Sequence, residues 1–240
     1  MTALRNVTEQ VSPVTQDYLK AIWQSTEWGG HPATTSVLAA RFGTSQANVS
    51  DVLSRLARAQ LIVREPYRPC VLTPHGAALA LSMVRRHRLI ETHLVRSLGY
   101  ACTEVHEDAE RLEHAASDVF IDRLAAHLGH PRFDPHGDPI PTADGQVSYP
   151  ADARPATEVA PGRYQVVRIS DADPAVLQAL HDHGLHPGAG LRILDRPDGR
   201  FIEPIGRFGD CASGAGGALG VLAVGEALWV ADEQALSRWS

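Results

Sequence analysis

The chain has no apolar run near the ~18 residues that a membrane span requires, and its first twenty residues, MTALRNVTEQVSPVTQDYLK, lack the apolar centre of a signal peptide. A cytoplasmic location with no membrane partner is therefore expected. Cysteine is scarce. Cys70, Cys102 and Cys211 are far apart, odd in number and form no C-x-x-C, which excludes a disulfide framework and a zinc ribbon and leaves three free thiols. No Glu-x-x-His occurs in the two His-rich helices described below, and no nucleophile and acid–base set converges elsewhere. That argues against a carboxylate-bridged di-metal enzyme, which draws such pairs from two helices. The chain is not read as an enzyme.

What is present is ordinary globular material, 44% hydrophobic and 21% charged over 240 residues, with room for one large domain or two or three small ones. The net charge of −6 would disfavour a nucleic-acid binder if it were uniform, but it is not. Residues 1–75 carry 7 Arg or Lys against 5 Asp or Glu, residues 76–150 carry 7 against 11, and residues 151–240 carry 8 against 12. Only the N-terminal third is positive, a pattern that suits a basic reader joined to an acidic cation site.

The most informative stretch is VHEDAERLEHAASDVF, Val105 to Phe120, which reads as part of one helix running from Cys102 or Thr103 to about Leu128 with Gly129 as its stop. His106, Glu110, Glu113 and His114 fall at i, i+4, i+7 and i+8, so all four share one face. Two imidazoles and two carboxylates on one face are costly to bury and mutually repulsive unless a divalent cation joins them. A thiolate-free N/O set suits manganese, iron or zinc. The preceding helix, from Thr73-Pro74 to about Ser97, places His87 and Glu91 one turn apart, and eight of the 12 His lie between His75 and His136. Paired His/Glu helices are how bundle metal sites are built. The alternative for the same residues is a solvated polar face.

Upstream, VTQDYLKAIWQSTEW is an amphipathic helix closed by Gly29-Gly30. Thr34-Thr35 caps SVLAARF, and Thr44 or Ser45 caps SQANVSDVLSRLARAQ after a turn at Gly43. Two β-rich runs, 61–63 and 70–72, flank an Arg-Glu-Pro-Tyr-Arg-Pro tip. Helix, turn, longer helix and hairpin make a winged helix-turn-helix. Its second helix would present Ser45, Gln46, Ala47, Asn48 and Asp51 to base edges in the major groove. Arg41, Arg55, Arg58, Arg64 and Arg68 would meet phosphates. A winged helix used for protein contacts, in a metal buffer or scaffold, is the competing use.

Residues 131–162 are rich in Pro, Gly and Asp and read as a loop and linker, with Asp134 and His136 in the part able to fold back towards the metal region. From Arg163 onwards, RYQVVRIS, LRILDR, RFIEPIG, ALGVLAVG and EALWVAD are short β-forming runs with one helix, DPAVLQALHDHG, among them. They predict a small SH3-like barrel. His181, His183 and His186 read as surface residues.

The segments MVRRHRLIETHLV, VHEDAERLEHAASD and DPHGDPIP, in this order behind a winged helix, make the chain resemble the diphtheria toxin repressor family of metal-dependent transcriptional repressors over nearly its whole length. The resemblance implies a mainly α fold with a small β domain: a winged-helix DNA-binding domain over 1–75, a helical dimerisation and metal-binding domain over 76–145, a linker over 146–162, and an SH3-like (FeoA-like) domain over 163–240. It implies a homodimer acting on double-stranded operator DNA, one or two dimers to each operator. It also implies a primary metal site of Asp17, Glu110, Glu113 and His114, where iron responders place Met and Cys at the positions of Asp17 and Glu110. The hard, oxygen-rich set points to the manganese branch, with Mn2+ as effector and Fe2+, Co2+ or Zn2+ able to bind in vitro; an iron-dependent repressor is the alternative within the family. A second site would draw on His87, Glu91, His106, Asp134, His136 and Asp173. The position at which some relatives supply an amide is Val176. Lys20 stands where some manganese regulators carry a further carboxylate, which argues against a closely spaced pair of ions.

Overall fold

The computed structural model describes residues 11–65, 68–150, 152–205, 219–220 and 224–232; Cys211 and the wing-tip residues Pro66 and Tyr67 lie outside them. The chain divides into two compact units. One comprises Met1–Ile90, Ala109–His130 and Ile140–Val147, the other Glu91–Asp108, Pro131–Pro139 and Ser148–Ser240.

In the first unit, α1 (Pro13–Gln24) starts with Pro13 behind Ser12, whose hydroxyl accepts from the Thr15 N–H. That is the residue order a helix start favours, since the first N–H groups have no helical acceptor. α2 (Thr35–Arg41) is capped by Thr34 and α3 (Gln46–Arg58) by Ser45. The turn between them uses Gly43 at φ +57°, a left-handed conformation that glycine adopts without steric cost. α3 buries Val49, Val52, Leu53 and Leu56 against Tyr18, Leu19, Ile22 and Leu38, and each such side chain contributes about 1.5–3 kcal/mol. β1 (Ile62–Val63) pairs antiparallel with β2 (Val71–Leu72) to form the wing. The winged helix-turn-helix is thus present as the sequence predicts.

α4 (Pro74–Leu98) follows, contributing to both units. The long helix expected from Cys102 or Thr103 begins at Val105 and is instead two: α5 (Val105–Glu113) and α6 (Asp118–His127). The break has one local cause and one distant one. Ser117 accepts from the Phe120 N–H and caps α6, while the Arg86 guanidinium donates to the Ala116 carbonyl and pairs with the Asp118 carboxylate. The turn's polar groups are therefore satisfied without a continuous helix.

In the second unit a six-stranded antiparallel sheet runs in the order β3–β8–β4–β5–β6–β7, built from β3 (Arg154–Pro155), β4 (Gly162–Ile169), β5 (Gly190–Arg196), β6 (Gly199–Ile205), β7 (Leu219–Gly220) and β8 (Leu228–Asp232). α7 (Pro174–Asp182) lies between β4 and β5 in sequence, and Val166, Ile169, Leu180, Leu191, Ile193, Ile202 and Val230 form the core. Two features add to the reading of 131–162 as loop and linker. Arg154 and Pro155 pair with Val230 and Trp229 as β3, and residues 131–139 are stitched to β4. The Ile169 N–H donates to the His136 carbonyl at 2.9 Å, and Arg168 pairs with Asp138 at 2.7 Å. Gly137, at φ +89°, approaches β4 so closely that a Cβ would lie 2.0 Å from the Val167 carbonyl oxygen. Among the described residues no helix is long and apolar enough to cross a membrane, and Cys70 and Cys102 are free thiols.

The cap at the α5–α6 break is open to a direct test. Ser117→Ala is expected to cost about 1 kcal/mol, read as a lower urea midpoint with an unchanged m-value. An unchanged midpoint would mean that Arg86 alone fixes the break.

Candidate metal centres and nucleic-acid face

In the first unit α1, α4 and α5 meet around Glu113, which has no solvent exposure. Asp17 comes from α1, Glu113 from the end of α5, and His114 from the turn immediately after it. One donor atom from each lies within 4.8 Å of the other two. The His114 Nδ1 sits 2.7 Å from the Gln16 side-chain oxygen, and the Gln16 amide nitrogen donates to the Val11 carbonyl at 3.3 Å. This arrangement makes Nδ1 the protonated nitrogen of His114 and leaves the Nε2 lone pair outward. That Nε2 is 3.0 Å from Asp17 Oδ1, and no hydrogen bond reaches this buried oxygen. Two electron-pair donors facing each other need a proton or a cation between them. Burial pushes the Asp17 carboxyl above its ordinary pKa, with His114 and then Lys20 pulling the other way.

Beside this trio, His87, Glu110 and Glu113 form a second donor group within the same 4.8 Å limit. His87 Nδ1 is 2.6 Å from Glu113 Oε2, and His87 also has a donor atom within the same limit of Glu91, His106 and Asp171, the grouping that the sequence expects. Glu110, expected beside Asp17, instead accepts from the Lys20 ammonium at 2.7 Å.

In the second unit Glu91 from α4 is the shared member of two groups. His106 Nδ1 is 3.5 Å from Glu91 and 3.3 Å from Asp171, and Glu91, Asp134 and His136 form the other group. His136 Nε2 donates to the Cys102 carbonyl at 2.8 Å, which directs its buried Nδ1 towards Glu91 Oε2, 3.7 Å away. Asp134 uses one oxygen to accept from the His136 and Asp138 N–H groups, so it also shapes the loop that positions the imidazole. Hydrogen bonds to Asp171 and to Glu91 push His106 up to about 10. Burial pulls His136 down, yet Glu91, Asp134 and Asp171 more than reverse it and leave the imidazole well above its ordinary pKa. Asp171 is held well below the usual carboxylate range by its hydrogen bond to His106, against the effect of burial.

Asp173, expected at the second site, belongs to none of the donor groups found among the described residues. Its Oδ1 caps α7, accepting from the Ala175 and Val176 N–H groups. Asp171, two residues earlier, is the carboxylate that reaches His106. The pattern was legible, because an Asp directly before Pro174 and an apolar helix is an N-cap signal.

On α3, Gln46, Ala47, Asn48, Asp51 and Arg55 are exposed, as are Ser45 before it and Arg41 on α2. Val49, Val52, Leu53 and Leu56 face the core, so the polar stripe is the outward one. Asn48 donates to Thr44 and Arg41 to Gln24. Arg64 is not projecting from the wing: it donates to the Ser50 carbonyl and to the Ser50 and Ser54 hydroxyls, tying wing to helix. Arg68 is exposed and pairs with Glu65 at 3.4 Å.

Comparison with known proteins fits this geometry. The DNA-binding model of the iron-dependent repressors matches residues 10–69, their metal-binding and dimerisation model matches 73–142, and the FeoA domain model matches 155–203. The diphtheria toxin repressor of Corynebacterium glutamicum is 31% identical over 198 residues, covering 78% of this chain and 86% of that one. The chain belongs to the diphtheria toxin repressor family. Among solved structures, a manganese-dependent transcriptional repressor in complex with manganese aligns with TM-score 0.80 and 43% identity over 91% of this chain and 99% of that one. The manganese regulator SloR aligns with TM-score 0.74 and 29% identity over 93% and 100%. Membership of the family accounts for a winged helix followed by helices rich in His and carboxylates and then a small β unit.

Gln16 is a residue the sequence reading did not single out. Gln16→Leu removes the acceptor that orients His114 and is expected to weaken cation binding by about 10- to 100-fold, measured by competition with a fluorescent chelator on a variant of unchanged circular dichroism. Equal affinity would remove Gln16 from that role. In the second unit, His106 is protonated up to pH about 10 when no metal competes, so a cation entering there must displace a proton. Its apparent affinity is expected to fall as pH is lowered, with proton release readable by calorimetry in buffers of different ionisation enthalpy. Binding that releases no proton would place the ion elsewhere.

Proposed function

We propose that this chain is a manganese-dependent transcriptional repressor that binds operator DNA as a homodimer and controls genes of manganese uptake. The observation that carries the reading is the meeting of Asp17 with His114 and Glu113. Asp17 lies on α1, whose Tyr18, Leu19 and Ile22 are core residues of the winged helix, whereas Glu113 and His114 belong to the segment matched by the metal-binding and dimerisation model. A bound divalent ion would supply charge neutralisation and a cross-link between these two parts of the chain. Asp17 contributes a carboxylate from the DNA-binding side, Glu113 one from α5, and His114 a lone pair aimed by Gln16.

The donor set supports manganese over softer ions. It contains carboxylates and imidazole and no thiolate or thioether, and oxygen-rich sets favour hard cations. Fe2+, Co2+ and Zn2+ have workable ligands here as well, so selectivity in the cell would also draw on metal supply. Glu91, His106, Asp171, Asp134 and His136 are the candidates for the second site. Leu112, Val119 and Phe120 are exposed apolar residues inside the dimerisation segment, which supports self-association through that part of the chain. Gln46, Ala47, Asn48 and Asp51 would read base edges, with Arg41, Arg55 and Arg68 on phosphates. Arg64 would act chiefly by holding the wing against α3. The reading requires no chemistry on a substrate.

The test is a titration of fluorescent promoter DNA from a manganese-transporter gene with purified protein, in chelator, in Mn2+ and in anaerobic Fe2+ at fixed salt. Tight binding is expected with Mn2+ and not with chelator, and Asp17→Ala is expected to lose it while remaining a folded dimer. Equal binding in Fe2+ would keep the repressor and remove the manganese assignment. Metal-independent binding, or an Asp17→Ala protein that responds normally, would overturn the linkage between α1 and α5.

A further inference from the structure

Lys20 is the only lysine among the 22 basic residues of the chain, and it is buried, with 2% of its side chain exposed. It lies on α1 one turn after Asp17. Its ammonium is 2.7 Å from Glu110 Oε1 and 2.5 Å from Glu113 Oε1. Glu113 turns its other oxygen to His87. The donors of His87, Glu110 and Glu113 are spaced as a metal triad would be, yet a side chain of this protein already supplies the cation among them. An ammonium suits that position because it is a compact point charge with three donors, where a guanidinium is planar and wide.

Charge decides how many ions the cluster takes. Asp17, Glu110 and Glu113 bring three negative charges and Lys20 one positive. One divalent ion cancels the remainder. A second would leave two uncompensated positive charges among buried groups, which is strongly unfavourable.

We propose that Lys20 is a resident cation that fills the His87/Glu110/Glu113 half of the cluster. The Asp17/Glu113/His114 half then takes a single divalent ion, with Glu113 held in place before that ion arrives. The proposal rests on the repressor reading only in taking Asp17, Glu113 and His114 as a metal site. Lys20 is thus a residue that sets metal stoichiometry, acting by position and charge and without being a ligand.

The full-length wild type, Lys20→Met, Lys20→Glu and Asp17→Ala are dialysed to equilibrium against MnCl2. Manganese per chain is counted by atomic emission, and frozen samples are examined by electron paramagnetic resonance. Both Lys20 variants are expected to hold one more Mn2+ per chain than the wild type and to show the spectrum of a carboxylate-bridged pair, which the wild type lacks. Asp17→Ala is expected to hold one fewer than the wild type. Lys20 variants with the wild-type count, alongside a lowered count in Asp17→Ala, overturn the proposal and leave the metal site standing. A count that Asp17→Ala does not lower overturns both. Where a Lys20 variant fails to fold, the wild-type spectrum decides: isolated ions support the proposal, and a bridged pair overturns it.

Discussion

The first unit depends on pairing one carboxylate that has no exposed surface. Glu113 has no exposed surface, and an isolated buried carboxylate would cost several kcal/mol after relaxation. Its partners are Lys20 from α1 and His87 from α4. The positions of three helices are therefore coupled through one side chain. α1 cannot move away from α5 without stripping Glu113 of its ammonium, and the same α1 supplies Tyr18, Leu19 and Ile22 to the core beneath α3. An electrostatic requirement at the end of α5 thereby fixes the seat of the winged helix.

Both units use the same device to aim an imidazole. His114 gives one nitrogen to Gln16 and His136 gives one to the Cys102 carbonyl. In each case the remaining nitrogen faces a carboxylate, Asp17 or Glu91. A ring so held offers a cation a lone pair whose direction is already set, and less entropy is lost on binding. The groups differ in their standing charge. The first contains its own ammonium. The second contains His106 and His136, whose pKa values are raised by the surrounding carboxylates, so protons balance its negative charge until a metal displaces them. The two groups therefore meet an incoming ion in different ways, the first as a nearly compensated pocket and the second as one that must shed protons.

How much of this was legible depends on the range of the interaction. Helix starts at Ser12-Pro13, Thr34 and Ser45 were written locally, because a cap needs only its own next three residues. The β unit was legible from its turns. The break between α5 and α6 was not, since Ala115 and Ala116 favour helix and the deciding group, Arg86, is 30 residues away from the carbonyl it holds. The ligand types were legible from helical spacing, and their partition was not. His106, Glu110, Glu113 and His114 share a face in sequence, yet neighbouring elements distribute them: Asp171 takes His106, Lys20 takes Glu110, and Asp17 takes His114. Spacing along one helix says which side chains point together; which other helix or loop meets them is a tertiary fact.

The path from this cluster to the recognition helix is short. Tyr18 is the next residue after Asp17, and its ring stacks on Phe42 with centroids 4.3 Å apart. Phe42 leads directly into Gly43 and then Ser45, the residue that caps α3. A displacement of α1 at Asp17 thus has a route to the start of α3 through one aromatic contact at the edge of the core and a three-residue turn. Asn48 and Asp51, on the face offered to DNA, line a surface cavity together with Asp17, Tyr18 and Phe42. On the proposed reading, free energy that a cation spent in fixing Asp17 would be felt where base edges are read. By linkage, DNA held against α3 must favour the cation by the same factor. The stiffness of that aromatic contact sets how much of the coupling survives the distance.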